Sequence, residues 1–211
     1  MRTINRKVLR ASAQCLIVFL LLSFFSLPAS AAIGQDSPQR FFIGAVAGFF
    51  YPQQNAFRQN YPKSIWPIEL QLAWSLNRKL SVFGAARYLE TSGSTVLLDV
   101  QRPGETYALN WRMATIRLGL NCQTWTSRFS PFLGTGISTN FYKEQWLEVP
   151  RLTEGKKTGF FVQAGIRYRL QHRWHALAQL EYSSVPAGSG AQGKANLGGL
   201  NLSLGLLAGI F

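Results

Sequence analysis

The sequence contains few of the residues on which catalysis, metal binding and covalent stabilisation usually depend. Its 211 residues include two cysteines, Cys15 and Cys122, and two histidines, His172 and His175. Because Cys15 lies in the N-terminal apolar segment, only Cys122 would remain after processing, which excludes an internal disulfide. Two histidines without a cysteine partner do not make a zinc motif, so we predict no bound metal and no cofactor.

Long hydrophobic runs are also missing, except at the N-terminus. Residues 2–10 carry four basic side chains, and residues 15–27 form an almost continuous apolar run that ends shortly before Ala29-Ser30-Ala31. This is the pattern of a cleaved signal peptide, and we predict one over residues 1–31. The alternative is a retained N-terminal anchor. Residues 32–211 are predicted to form one domain, which could cross a membrane only with strands, since it has no run of helical length.

Acidic residues are scarce, with nine Asp and Glu against 22 Lys and Arg. Four of the basic residues precede residue 32, so the processed chain keeps 18 basic and 9 acidic side chains, a net charge of +9. Such an excess suggests a phosphate-rich partner. Because exported proteins rarely meet nucleic acid, outer-membrane lipids and the phosphates of lipopolysaccharide are favoured. A basic surface without a specific partner is the alternative.

The processed chain does contain a two-residue alternation of apolar and polar side chains. Leucine occupies every second position from Leu200 to Leu206, with Asn201, Ser203 and Gly205 between them. That period is typical of a strand with one apolar face. Similar stretches predict eight strands, at roughly 39–50, 66–76, 80–91, 106–122, 129–142, 158–170, 174–184 and 196–211.

The gaps between the predicted strands are alternately long and short. Tight turns are predicted at 77–79, 123–128 and 171–173, whereas gaps such as 51–65 and 143–157 are long and rich in Pro, Gly and charge. One face of the strands carries almost no charge and the other carries Arg and Glu. A charge facing lipid costs about 2–4 kcal/mol at the midplane, so the uncharged face is predicted to meet lipid. In a soluble lipocalin-like barrel the two faces would be reversed.

Tyrosine and tryptophan are concentrated near the predicted strand ends, as in the aromatic belts of membrane barrels. This distribution favours the membrane orientation over the lipocalin-like one. The belt near the short turns would contain Trp74, Trp125, Phe129 and Trp174, and the belt near the long loops Tyr51, Trp66, Tyr88, Tyr107, Trp111, Tyr142, Trp146 and Tyr182.

With these features the chain resembles the small eight-stranded outer-membrane β-barrel superfamily, which includes the OmpA membrane domain and the OmpX/Ail group. The resemblance covers residues 39–211. It implies an all-β, eight-stranded antiparallel up-and-down transmembrane barrel in the cell outer membrane. Phe211 looks like the signal that the outer-membrane assembly machinery recognises. Phe211 would lie on the face opposite to that of the leucines from Leu200 to Leu206, because it is an odd number of residues away from them. A bulge near Leu206-Leu207 would bring both onto one face.

The inward faces carry charged and amide side chains that we predict to form a polar plug. The tight turn centred on Arg78 places Glu69 opposite Arg87. Counting from the turns in the same way predicts that Arg117, Arg167 and Glu181 face inward at comparable heights. An eight-stranded barrel is just wide enough to be filled by side chains, and buried charges must be paired. A packed interior without transport is the favoured interpretation, and a narrow small-solute pore is the alternative. The predicted plug comprises Glu69, Gln71, Arg87, Arg117, Gln163, Arg167, Gln179, Glu181 and Asn201.

Catalysis is disfavoured by the same scarcity of histidine. Two barrel families of this size modify lipid A, and the deacylase type needs a His-x-Ser pair. Here Trp174 and Leu177 occupy the positions where that serine would follow His172 and His175. We therefore predict no catalytic residues, and keep a lipid A-modifying enzyme as the alternative.

The long loops are the remaining place for function, because binding residues usually lie on loops held by a rigid scaffold. The resemblance to the OmpX/Ail group implies a role in adhesion, surface interaction or envelope integrity, with an extracellular ligand as partner. The candidate contacts are Lys143, Trp146, Arg151, Lys156 and Lys157.

Overall fold

Eight antiparallel strands form a closed barrel, as predicted. The computed structural model describes residues 41–98, 103–124, 128–148, 152–171, 173–190 and 193–210, so the predicted signal peptide lies outside the described residues. The barrel strands are β1 (Phe41–Pro52), β2 (Ile68–Ser75), β3 (Leu80–Leu98), β4 (Pro103–Gln123), β5 (Phe129–Trp146), β6 (Leu152–Arg169), β7 (Trp174–Ser184) and β10 (Gly199–Gly209). Strand β1 pairs with β2 on one side and with β10 on the other, which closes the sheet.

The two faces of the barrel wall differ in the way that the alternation predicts. Leu133 and Leu204 on the outward face are each 66% exposed, whereas Arg117 and Glu181 on the inward face are 2% and 1% exposed. Apolar side chains therefore cover the outside, and charged side chains lie in the lumen. This arrangement is the reverse of a soluble globule and is the one that a bilayer stabilises.

Four strands are longer than predicted. Strand β3 continues to Leu98 and β6 begins at Leu152, where the alternation had suggested ends near 91 and 158. About 9–11 tilted residues suffice to cross a bilayer, so strands β3 to β6 extend well beyond it. The prediction failed here because both faces of these extensions carry polar side chains, which hides the period of two.

Two connections contain secondary structure that the sequence did not predict. The short helix α1 (Asn55–Asn60) lies between β1 and β2. Within the described ranges, no helix is long and apolar enough to cross a membrane. Strands β8 (Pro186–Gly190) and β9 (Gly193–Asn196) form a hairpin between β7 and β10.

The last strand is regular and has no bulge. Strand β10 keeps a continuous register with β1 and with β7 through Leu206 and Leu207. The predicted bulge was wrong, because Leu207 points into the lumen and packs in an apolar cluster with Phe42, Val46 and Leu177. An inward leucine on this strand therefore has a packing reason and needs no change of phase. Phe211 lies outside the described residues.

Helix α1 is held at the barrel mouth by close contact with a glycine of β3. A Cβ at Gly93 would overlap the carbonyl oxygen of Asn60 and crowd the ring of Tyr61. We expect Gly93→Ala to displace α1 and to speed tryptic cleavage after Arg58 in the folded barrel. Gly84→Ala is the matched control, since a Cβ there would meet only the Arg117 carbonyl oxygen, at 3.8 Å. Equal cleavage rates in the two variants would contradict this packing.

Candidate site in the barrel lumen

The centre of the lumen holds four charged side chains from four different strands. Glu69 comes from β2, Arg87 from β3, Arg117 from β4 and Glu181 from β7, and each is at most 4% exposed. Each side chain occupies an inward position of the alternation, so the strand period places all four in the lumen. We call these four residues the charge ring.

Each charged side chain of the ring is paired with both side chains of opposite charge. Arg87 donates from Nε to Glu69 Oε2 at 2.8 Å, and from Nη1 and Nη2 to both carboxylate oxygens of Glu181 at 2.9 and 2.6 Å. Arg117 completes the ring by donating to Glu69 and to Glu181. Two positive and two negative charges cancel, and bidentate contacts to arginine fix their geometry. A buried set of charges is tolerated only when it is paired in this way.

Amide and aromatic side chains surround the charge ring. Gln71 donates to Glu69 and also to Gln179 Oε1, the latter at 3.1 Å. The amide of Asn201 lies 3.0 Å from Arg87 Nη2 in the orientation that also satisfies the Phe49 carbonyl. Arg117 stacks over the ring of Phe161 at 5.2 Å. These contacts link the charged groups to the side chains around them.

Arg167 belongs to a second layer, nearer the periplasmic turns. In the sheet register Gln163 pairs with Glu181, whereas Arg167 pairs with Leu177, four residues away. Four residues correspond to about 13 Å along a strand. Arg167 donates to Gln123 Oε1 at 2.6 Å and stacks over Phe42 at 5.2 Å. The expectation that Arg167 lies at the height of Arg117 and Glu181 was therefore wrong. Gln163 donates to Asn121 Oδ1 at 2.8 Å.

The extracellular end of the lumen is aromatic, which was not predicted from the sequence. A buried cluster there joins strand residues with Tyr61 and Ile65 of the β1–β2 connection, and Phe57 of α1 packs against it. Tyr107, Trp111 and Trp146 were assigned to a lipid-facing belt, but they are only 8%, 2% and 9% exposed and point inward. The alternation of β4 at residues 107–113 was the signal that could have placed them. Trp125 lies outside the described residues. The predicted belt residues that are exposed on the barrel include Tyr51, Trp66, Trp74, Tyr88, Phe129 and Tyr182.

The predicted loop contacts are distributed over both faces of the extended strands. Lys143 and Lys156 lie in β5 and β6 and are exposed on the outward face, where Lys156 Nζ is 5.5 Å from the Phe141 ring centroid. Lys157 is half-buried on the inward face, opposite Asn140. The prediction of an exposed Trp146 in a loop was wrong, because Trp146 ends β5 and is buried. Arg151 lies outside the described residues.

The histidines do not form a catalytic or metal-binding group within the described chain. His175 is buried in the lumen and meets the ring of Phe42 edge-to-face at 5.1 Å. His172 lies outside the described residues. Where the structure describes the chain, no three side chains of His, Cys, Asp or Glu lie close enough together to hold a metal.

Known proteins share this architecture. The chain aligns over 81% of its length with Neisserial surface protein A (14% identity, 97% of that chain, TM-score 0.57). It aligns over 81% of its length with OprG from Pseudomonas aeruginosa (13% identity, 95% of that chain, TM-score 0.58). It aligns over 80% of its length with Ail of Yersinia pestis (13% identity, 95% of that chain, TM-score 0.50). At these identities the likeness concerns the fold. No curated protein matches the sequence.

The family comparison agrees with the barrel geometry. The family model described as "Outer membrane protein beta-barrel domain" matches residues 17–206. That range includes almost the whole barrel, from β1 to most of β10. The apolar outer face, the closed sheet and the match together place the protein in the outer membrane. The chain belongs to the outer membrane protein beta-barrel domain family.

Proposed function

We propose that this outer-membrane protein is a non-enzymatic surface-interaction and envelope component whose lumen does not conduct. The observation that carries the proposal is the charge ring, in which two arginines and two glutamates from opposite walls meet across the lumen. Ions would have to break several buried, charge-assisted hydrogen bonds to pass. Function would then depend on the extracellular extensions, after export directed by residues 1–31 and assembly directed by Phe211.

The conduction arm of the proposal is tested in planar bilayers. We expect the purified barrel to give no single-channel steps. The double variant Arg117→Ala, Glu181→Ala keeps the ring neutral but shortens two side chains that cross the lumen. We therefore expect single-channel conductance in the double variant and none in the parent protein. Steps in the parent protein as large as those in the double variant would contradict a sealed lumen and favour the narrow pore.

The outward face of the extensions offers a basic patch close to the lipid. In the sheet register Arg112 lies opposite Lys143, and Lys156 lies opposite Phe141, directly above the exposed apolar residues of the wall. Two carboxylates adjoin this patch of three basic side chains: Glu90 Oε1 lies 3.2 Å from Arg112 Nε, and Glu154 lies opposite Lys143 in the sheet register. Lysine and arginine above a hydrophobic band suit the phosphates of lipopolysaccharide.

A pair of neighbouring lysines tests the lipopolysaccharide contact. We expect Lys156→Gln to weaken binding of lipopolysaccharide to the refolded barrel by about 1 kcal/mol at low salt, as for a single basic residue at an anionic surface. Lys157→Gln removes the same charge from the inward face and should leave the affinity unchanged. Equal losses in both variants would show that only the net charge matters, and would contradict the patch.

The surface role is supported by the named relatives of the fold. Ail is called an attachment invasion locus protein, and the Neisserial protein is called a surface protein. The long strands β3 to β6 would present a comparable platform above the membrane. Loss of cell or matrix binding after shortening β5 and β6 would support the role, whereas a change of lipid A mass on expression would favour an enzyme.

A further inference from the structure

We propose that the extracellular mouth of the barrel binds a methylated ammonium group in an aromatic cup. The cup is a cavity of about 200 Å³ between α1 and strands β4 to β6, and its chemistry is set by Phe57, Tyr61, Trp111, Tyr142 and Glu144. This binding site goes beyond the proposed surface role, because it would take a small organic cation rather than a macromolecule or a lipid phosphate.

Four aromatic rings contribute to the wall of the cup. Phe57 and Tyr61 stack with their centroids 4.4 Å apart, and Phe57 meets Trp111 at 4.7 Å with the planes nearly perpendicular. Tyr142 belongs to the same cluster and lines the cavity from β5. The rings hold each other in place, so the cup is formed before any ligand enters. Such pre-formed aromatic pockets attract cations through the negative faces of the rings.

One carboxylate gives the cup its charge preference. Glu144 is half-buried on the inward face of β5, and Tyr61 Oη donates to its Oε2 at 2.8 Å. Burial and the nearby Glu144 charge raise the pKa of Tyr61, so this phenol stays protonated and remains a donor. Within the described ranges, Glu144 has no ion pair, whereas Glu69, Glu90 and Glu181 all do. The negative charge is therefore available to a ligand.

The ligand class follows from this combination of groups. A carboxylate alone would attract any cation, and aromatic rings alone would accept any apolar molecule. Together they favour a charged group that is large, weakly hydrated and surrounded by methyl groups, which is how quaternary ammonium ions are recognised. A trimethylammonium group fits a cavity of this size, and such a group can come from free choline or from a phosphocholine headgroup.

The test uses the full processed barrel refolded in octyl glucoside, a detergent without a choline headgroup. Calorimetry should detect choline binding in roughly the millimolar range. The neutral isostere 3,3-dimethylbutanol should bind at least ten-fold more weakly, because it lacks the charge. Glycerophosphocholine distinguishes free choline from a phosphocholine headgroup as the natural ligand. If glycerophosphocholine binds more tightly than choline, the ligand is a lipid headgroup; if it binds more weakly, the ligand is the free cation.

Matched variants assign the binding to the cup. Glu144→Gln should weaken choline binding about ten-fold, and Tyr142→Leu should weaken it without changing the affinity for the isostere. Glu154→Gln is the control, since it removes the same charge from the exposed outward face of β6. A gel shift on boiling verifies that each variant is folded. Equal binding of choline and its isostere, no binding of choline, or an unchanged affinity in Glu144→Gln would each overturn the proposal.

Discussion

Replacing Arg87 by alanine is expected to lower the free energy of unfolding by about 3–5 kcal/mol, the usual effect of removing one partner from a buried ion pair. Arg87 supplies three of the hydrogen bonds of the charge ring, and both Glu69 and Glu181 depend on it. Its loss would leave two carboxylates in the lumen with Arg117 as the remaining cation of the ring. Urea titration of the barrel in lipid vesicles measures the change.

The exposed ion pair provides the control for this experiment. Arg112 and Glu90 are partly solvated, so Arg112→Ala should change stability by less than about 1 kcal/mol. The double variant Arg87→Ala, Glu181→Ala should lose less than the sum of the two single changes, because removing both partners strands fewer charges. Additive losses, or an Arg87→Ala barrel as stable as the parent, would mean that the charge ring does not hold the lumen together.

Replacing Leu118 by arginine is expected to destabilise the barrel in a bilayer by about 2–4 kcal/mol, because a charge on the lipid-facing wall near the midplane must be desolvated. Leu118 lies on the outward face of β4, between Gly84 and Ile137, and is 57% exposed. In a water-soluble protein an exposed leucine of this kind would tolerate arginine with almost no loss. The same urea titration therefore separates a lipid-facing wall from a solvated one.

Leu147 is the matched control for Leu118. It is 50% exposed, but it follows β5 at the extracellular end of the long extension. Leu147→Arg should change stability by less than about 0.5 kcal/mol, as for other surface substitutions. A similar loss in both variants would place the two leucines in the same environment, and would contradict the assignment of the bilayer to the central part of the wall.

The sequence was sufficient to predict the barrel and the local part of the charge ring. The alternation assigned the inward and outward faces, and the tight turn at 77–79 fixed the register that pairs Glu69 with Arg87. Neighbouring strands share a turn, so their pairing depends on local chain length. The bidentate contact between Arg87 and Glu181 could not be predicted in the same way. It crosses the lumen between non-adjacent strands, and depends on the diameter and stagger of the closed barrel.

The extracellular half was predicted less well, for two physical reasons. Residues 153–158 of β6 carry polar side chains on both faces, so the alternation that identifies a membrane strand is lost above the bilayer. Helix α1 has no side-chain cap and only six residues, and its position depends on packing of Phe57 and Tyr61 against strand residues. Short segments of this kind are stabilised by tertiary contacts that a local pattern does not show.

Quenching of tryptophan fluorescence by brominated lipids tests most directly which face of the barrel wall meets the bilayer. Two single-tryptophan variants are compared, one that keeps Trp74 and one that keeps Trp111, with phenylalanine at the other tryptophan positions. Trp74 is 57% exposed on the outside and Trp111 is 2% exposed in the lumen. The structure predicts strong quenching of Trp74 and little quenching of Trp111. Stronger quenching of Trp111 than of Trp74 would contradict the assignment of faces on which the charge ring, the sealed lumen and the aromatic cup all depend.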